Sequence, residues 1–143
     1  MRVTLNEDAA KAIQALTNSI RTLTKVPVVL VVDDSAQDRE LIINAVRQFF
    51  TQCEILECDS GVIAVEILGK RDVDIVFLDV RLPRIGGVEV LRRVRAINPP
   101  VIVMVTGFGE ETEETIEAIK LGAVRVIAKP VTQADLKATL GAI

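Results

Sequence analysis

Four apolar runs in this sequence end in side chains that could do chemistry together. Val28–Val32 is followed by Asp33 and Asp34, Val73–Leu78 by Asp79, Val101–Val105 by Thr106 and Gly107, and Val124–Ala128 by Lys129 and Pro130. Taken singly, each is an ordinary turn or helix-start residue. Taken together they offer three carboxylates, a hydroxyl and an ammonium. Crowded carboxylates repel and hold protons unless a cation joins them. Oxygen ligands select a hard ion, and the lack of a thiolate or imidazole among them disfavours zinc. Few carboxylates, completed by water and a phosphoryl oxygen, suit Mg²⁺ better than Ca²⁺. Such an ion, with an ammonium and a hydroxyl, neutralises charge on the equatorial oxygens of a phosphoryl group in transfer. No Cys, Ser or His is better placed as nucleophile, and attack by an Asp on phosphorus gives an aspartyl-phosphate. Asp79, the lone carboxylate after its run, is the expected acceptor. Asp33 and Asp34 are expected on the metal, and Thr106 and Lys129 on the phosphoryl oxygens.

These residues meet only if the runs are neighbouring strands. The β-branched run Val28–Val32 suits a strand covered on both faces. Residues 53–57, 73–78, 101–105 and 124–128 read the same way. Helix-period segments separate them. One carries Ile42, Ala45, Val46 and Phe49 after Ser35 as N-cap. A second runs from a Ser60 cap to about Leu68, ended by Gly69. A third carries Val88, Leu91, Val94 and Ile97 and is closed by Asn98-Pro99-Pro100. The fourth is expected over Glu110–Leu121, stopped by Gly122, and the fifth from Thr132 or Gln133 to Leu140. Five βα repeats imply an α/β fold, a doubly wound parallel sheet with helices on both faces, for which the expected strand order is 2-1-3-4-5. Ligands of such sheets bind at the carboxyl ends of the strands near the switch in strand order. Residues 1–26 stand outside this plan as an amphipathic helical extension. Leu5, Ala9, Ile13, Leu16, Ile20 and Leu23 form its stripe, and Asn6 is its expected N-cap. The stripe buries either on this domain, residues 27–143, or on a second copy.

Composition narrows the functions further. The chain has 143 residues, half of them hydrophobic and 26% charged, which fits one globular domain. A net charge of −3 and only four aromatics, all Phe, leave neither a basic stripe nor a base-stacking platform, so no direct nucleic-acid binding is expected. No apolar run spans a bilayer and no signal peptide is evident, so no membrane contact and a cytoplasmic location are expected. The chain contains no histidine, which removes histidine acid–base catalysis and histidine metal ligands. Cys53 and Cys58 lie five apart near one strand, hence on opposite faces, and are expected as free thiols.

The sequence resembles the receiver domains of two-component response regulators. The resemblance is carried by Val31-Val32-Asp33-Asp34-Ser35, Asp79-Val80-Arg81-Leu82-Pro83 with Gly87, Val105-Thr106-Gly107, Leu121-Gly122-Ala123 and Ala128-Lys129-Pro130. The spacings agree, with Asp79 45 residues after Asp34, Thr106 27 further on and Lys129 another 23. The match covers residues 27–143. It implies a flavodoxin-like fold and a signalling phosphoprotein of a phosphorelay, not a turnover enzyme. Asp79 would accept a phosphoryl group from a histidine kinase or phosphotransfer protein. Asp34 and Asp79 would bind Mg²⁺ with the backbone carbonyl of Arg81, with Asp33 acting directly or through water. Lys129, before a cis Pro130, would hold the phosphoryl group. Thr106 would swing toward it and alter the surface of the fourth repeat helix and fifth strand.

Three features depart from the family. Val126 stands where receivers usually carry Tyr or Phe, so no ring rotation can accompany activation. Gly86 stands where an Asp is common, and a looser loop is expected there. The N-terminal helix is extra. A homodimer is conceivable through that helix, or through the face made by the fourth repeat helix, fifth strand and fifth repeat helix. The rival to a phosphorylated switch is an interaction or dimerisation module that depends little on phosphorylation. A haloacid dehalogenase-type phosphatase is rejected, because Asp79-Val80-Arg81 puts a cation where that family wants a second carboxylate.

Overall fold

The computed structural model describes residues 7–22, 26–96 and 100–141, with backbone alone over 17–22. The elements in chain order are α1 (Glu7–Thr22), β1 (Val28–Val32), α2 (Ala36–Phe49), β2 (Glu54–Cys58), α3 (Gly61–Lys70), β3 (Ile75–Asp79), α4 (Gly87–Val94), β4 (Val101–Thr106), α5 (Glu113–Lys120), β5 (Arg125–Ala128) and α6 (Gln133–Leu140). The strands form one parallel sheet in the order β2-β1-β3-β4-β5, the order expected from the sequence.

Alternate strand residues feed two cores, one on each face. Val29, Val31, Ile75, Phe77, Val103, Val105 and Ile127 pack with α2 and α6 through Ile42, Val46, Leu136 and Leu140. Leu30, Val32, Val76, Leu78, Ile102, Met104 and Val126 pack with α3, α4 and α5 through Ala64, Val90, Leu91, Val94 and Ala118. Burial on both sides is why these strands read as unbroken apolar runs. The thiols are free; Cys53 packs against the first core and Cys58 lies in the second, on opposite faces as their spacing requires.

Caps decide several boundaries. Ser35 Oγ accepts from the Asp38 N–H and Ser60 Oγ from the Ile63 N–H, each at 3.2 Å, so α2 and α3 start where their serines stand. The helix expected from Glu110 begins instead at Glu113. Thr112 and Thr115 cap each other reciprocally there, leaving Glu110 and Glu111 in the preceding loop. Gly69 does not end α3, which continues to Lys70.

The extra helix α1 turns its stripe inward. Ile13 is 3% exposed in the core with Phe50 and Leu140, and Ala9 and Leu16 pack against that core. The described half of the stripe is therefore buried within the chain. Leu5, Asn6, Leu23 and the Ile97-Asn98-Pro99 stop lie outside the described residues, as does the Ile20 side chain.

Candidate functional site

The parallel sheet brings the ends of β1, β3, β4 and β5 to one edge of the molecule. β1 and β3 run in register from Val29 against Ile75 to Val32 against Leu78, so Asp33 and Asp79 leave neighbouring strands at the same level. Beyond Asp79 the ladder continues, with Val80 N–H donating to the Val105 carbonyl at 3.0 Å and Lys129 N–H to the Thr106 carbonyl at 2.8 Å. One oxygen from each of Asp33, Asp34 and Asp79 lies within 4.8 Å of the other two. Asp33 is fully buried, Asp79 is 5% exposed and Asp34 faces solvent.

Lys129 closes the cluster. Its Nζ lies 2.7 Å from Asp33 Oδ2, 2.9 Å from Asp38 Oδ2 and 3.5 Å from Asp79 Oδ2. The approach to Asp33 is an ion pair without hydrogen-bond alignment, so the buried Asp33 Oδ2 has no directed hydrogen bond. Asp33 Oδ1 is held by the Ser35 N–H at 2.9 Å. The Lys129–Pro130 peptide is cis.

Burial pushes the Asp79 carboxyl up to about 6, and the charge of Asp33, with a smaller push from Asp34, adds to this against the pull of Lys129 and an Arg81 N–H bond. Burial alone would lower the Lys129 ammonium, but the close Asp33 carboxylate, the hydrogen bond to Asp38 and the charge of Asp79 hold it above the usual lysine range. The ammonium is thus a permanent cation, while the carboxylates are short of positive charge. Three converging carboxylates and an all-oxygen donor set fit a small hard divalent cation.

Thr106 is 1% exposed, and its Oγ1 accepts from the Phe108 N–H at 3.0 Å. A hydroxyl that accepts one bond keeps its own proton for donation to another acceptor. Gly87 permits close packing under Asp79, since a Cβ there would run into the Asp79 carbonyl oxygen. Gly87 N–H donates back to the Val80 carbonyl at 2.9 Å, which joins the two ends of the loop that contains Gly86.

Val126 is fully buried in the core with Met104, Ala118 and Ala123. The aromatic nearest the site in sequence is outside instead: Phe108 is 60% exposed, and the Arg81 guanidinium carbon stands 4.0 Å from its ring centroid. Arg81 Nε also pairs with Glu114 Oε2 at 3.3 Å. Sequence reasoning missed this bridge and missed Asp38. Asp38 had one visible signal, an acid three residues after the Ser35 cap at the end of β1. The Arg81–Phe108–Glu114 contact had none, because it joins two loops and the first turn of α5, which only the fold brings together.

The family model described as response regulator receiver domain matches residues 29–141. A protein-glutamate methylesterase/protein-glutamine glutaminase of Albidiferax ferrireducens is 36% identical over 104 residues, which cover 71% of this chain and 28% of that protein. The Escherichia coli K12 protein of the same description is 30% identical over 103 residues, 71% of this chain and 30% of that one. The aligned part thus spans less than a third of these relatives. Among solved structures, the response regulator domain of Thermotoga maritima CheB is 31% identical with a TM-score of 0.63, covering 79% of this chain and 85% of that one. A response regulator receiver domain protein from Clostridium thermocellum is 27% identical with a TM-score of 0.71, covering 80% and 91%.

Proposed function

This chain belongs to the response regulator receiver domain family, and on that premise we propose that it is a phosphorylation-operated signalling switch whose acceptor is Asp79. The observation that carries this is the convergence of Asp33, Asp34 and Asp79 oxygens within 4.8 Å, with Lys129 Nζ 3.5 Å from Asp79. The donor is a phosphohistidine on a histidine kinase or phosphotransfer protein, and the place of action is the cytoplasm. Among the described residues, no helix is long and apolar enough to cross a membrane.

Asp33, Asp34 and Asp79, with the Arg81 backbone carbonyl, are the residues that would hold Mg²⁺. When bound, it supplies positive charge against the charge that builds on the phosphoryl oxygens. The Asp79 carboxylate oxygen attacks phosphorus, the bond from phosphorus to the donor imidazole nitrogen breaks, and its electron pair leaves with the imidazole. The Arg81 N–H already bonds the Asp79 carboxylate and orients it. Lys129 donates to one phosphoryl oxygen and Thr106 to another. As Thr106 turns inward it releases the Phe108 N–H, which loosens the loop leading into α5. Slow hydrolysis by water at phosphorus restores the carboxylate. The chain acts on itself alone and turns over no external substrate. The match covers less than a third of the curated relatives, and the activity that names them is a property of those longer proteins.

Val126 favours a second reading, an interaction module that uses phosphorylation little. Where copies pair, the face of α5, β5 and α6 is the surface proposed, because Ile13 is already buried within the chain. Incubation with Mg²⁺ and acetyl phosphate tests the readings. A labile covalent phosphate on the wild type and none on Asp79→Asn is expected. No label on either supports the interaction module, and rapid turnover of assorted phosphate esters would mean a phosphatase.

A further inference from the structure

The ammonium of Lys129 does not lean on the proposed nucleophile. It makes a hydrogen bond of 2.9 Å to Asp38 Oδ2 and stays 3.5 Å from Asp79 Oδ2. Asp38 stands on the first turn of α2, 91 residues from Lys129 in sequence. Its N–H is held by Ser35 Oγ, and α2 is anchored in the core by Ile42, Ala45 and Val46. The carboxylate is therefore presented by a rigid element, and the cluster of converging oxygens is made of Asp33, Asp34 and Asp79 without it.

We infer that Asp38 is a positioning residue, which shares the Lys129 ammonium with Asp33, 2.7 Å from its Nζ, and so keeps it off Asp79. An ammonium has three N–H donors and no directional preference beyond its partners. Without Asp38, its remaining partners are Asp33 and Asp79, whose oxygens are the ones a divalent cation needs. Ammonium and metal then compete for the same carboxylates. With Asp38 in place, part of the ammonium charge is satisfied outside the cluster. The Asp79 carboxylate faces the cation site, and Lys129 can transfer an N–H from Asp38 to an arriving phosphoryl oxygen. An acid in the first turn of a helix also favours the helix dipole, but that role acts on stability alone and does not depend on Lys129.

The purpose of this arrangement rests on Asp79 being a phosphoryl acceptor, but the coupling itself is read from binding. Calorimetric titration with Mg²⁺ of the full chain, Asp38→Asn, Lys129→Gln and the double variant measures it. Asp38→Asn is expected to weaken Mg²⁺ binding about tenfold, the scale of one charge-assisted hydrogen bond. The same change in the Lys129→Gln background should shift it less than about twofold, and Asp38→Glu should restore most of the loss. Equal effects in both backgrounds, or a fall in melting temperature with unchanged Mg²⁺ affinity, overturn the proposal. Acetyl phosphate labelling of the same samples separates the two readings. A labelled wild type with equal effects removes the positioning role alone. An unlabelled wild type with the coupling intact removes the phosphoryl reading and leaves Asp38 as the holder of Lys129.

Discussion

Replacing Asp79 by Asn should stabilise the metal-free protein although it removes the proposed acceptor. Asp79 is 5% exposed, and burial, then the charge of Asp33, raise its carboxyl to about 6 against Lys129 and the Arg81 N–H. In the unfolded chain an aspartate titrates near ~3.9. The folded state therefore binds more protons than the unfolded state between about pH 4 and pH 6, and stability falls as pH rises through that window and is level above it. A gap of about two units at ~1.36 kcal/mol each sets a ceiling near ~3 kcal/mol. Water at the rim of the site and the polarity of the amide reduce the gain to about 1–3 kcal/mol. Urea unfolding followed by far-UV circular dichroism is the suitable assay, since the chain has no Trp or Tyr. In EDTA at about pH 7.5 the variant should be the more stable, and at about pH 4 the difference should shrink toward zero. With Mg²⁺ at about 100 times its dissociation constant the wild type gains about 2.7 kcal/mol, which the variant lacks, so the order closes or reverses. A variant no more stable than wild type in EDTA near neutral pH refutes the reasoning, as does a difference that persists in acid.

Gly87→Ala should destabilise by about 1–3 kcal/mol and slow labelling of Asp79, because its Cβ would meet the Asp79 carbonyl oxygen and lie 3.0 Å from Met104 Cε. Gly86→Ala should do less, since its Cβ would meet only the Val80 carbonyl oxygen, at 3.2 Å; equal losses in urea unfolding would contradict this. Ile13→Ala should remove about 2–4 kcal/mol, because Ile13 is 3% exposed within the core on the α2/α6 face of the sheet. A loss below about 0.5 kcal/mol would mean α1 does not stabilise this domain. Burial raises the Cys58 thiol to about 11, helped by Asp59 and Glu57 against the Ser60 carbonyl and Arg39. Peptide mapping after brief alkylation near neutral pH should find Cys53 modified well before Cys58 in the folded protein and both alike in urea.

Much of this protein was legible before folding, and for identifiable reasons. Period-two burial on both faces writes the inner strands as apolar runs, and an alternation of such runs with helix-period segments admits few topologies. The residue just past each run is then placed at the sheet edge almost automatically. Asp33, Asp79, Thr106 and Lys129 could thus be picked from the sequence as neighbours, and Ser35 and Ser60 as caps, since capping is local. The start of α5 was misjudged because Glu110 and Glu111 read as helix, while a reciprocal pair, Thr112 and Thr115, set the boundary.

The chemistry of the strand ends, the sheet order and the opposite faces taken by the two thiols are decided by residue type and spacing, which act over short stretches of chain. Contacts between loops and helices far apart in sequence are decided only by tertiary structure. The stripe of α1 fitted two partners equally until packing seated Ile13 in the core shared with α2 and α6. Arg81 came to lie over Phe108 and beside Glu114, and Asp38 came to hold Lys129. The physical reason is the same in each case: long charged or aromatic side chains reach partners set by how rigid elements dock, and no periodicity along the chain encodes that distance.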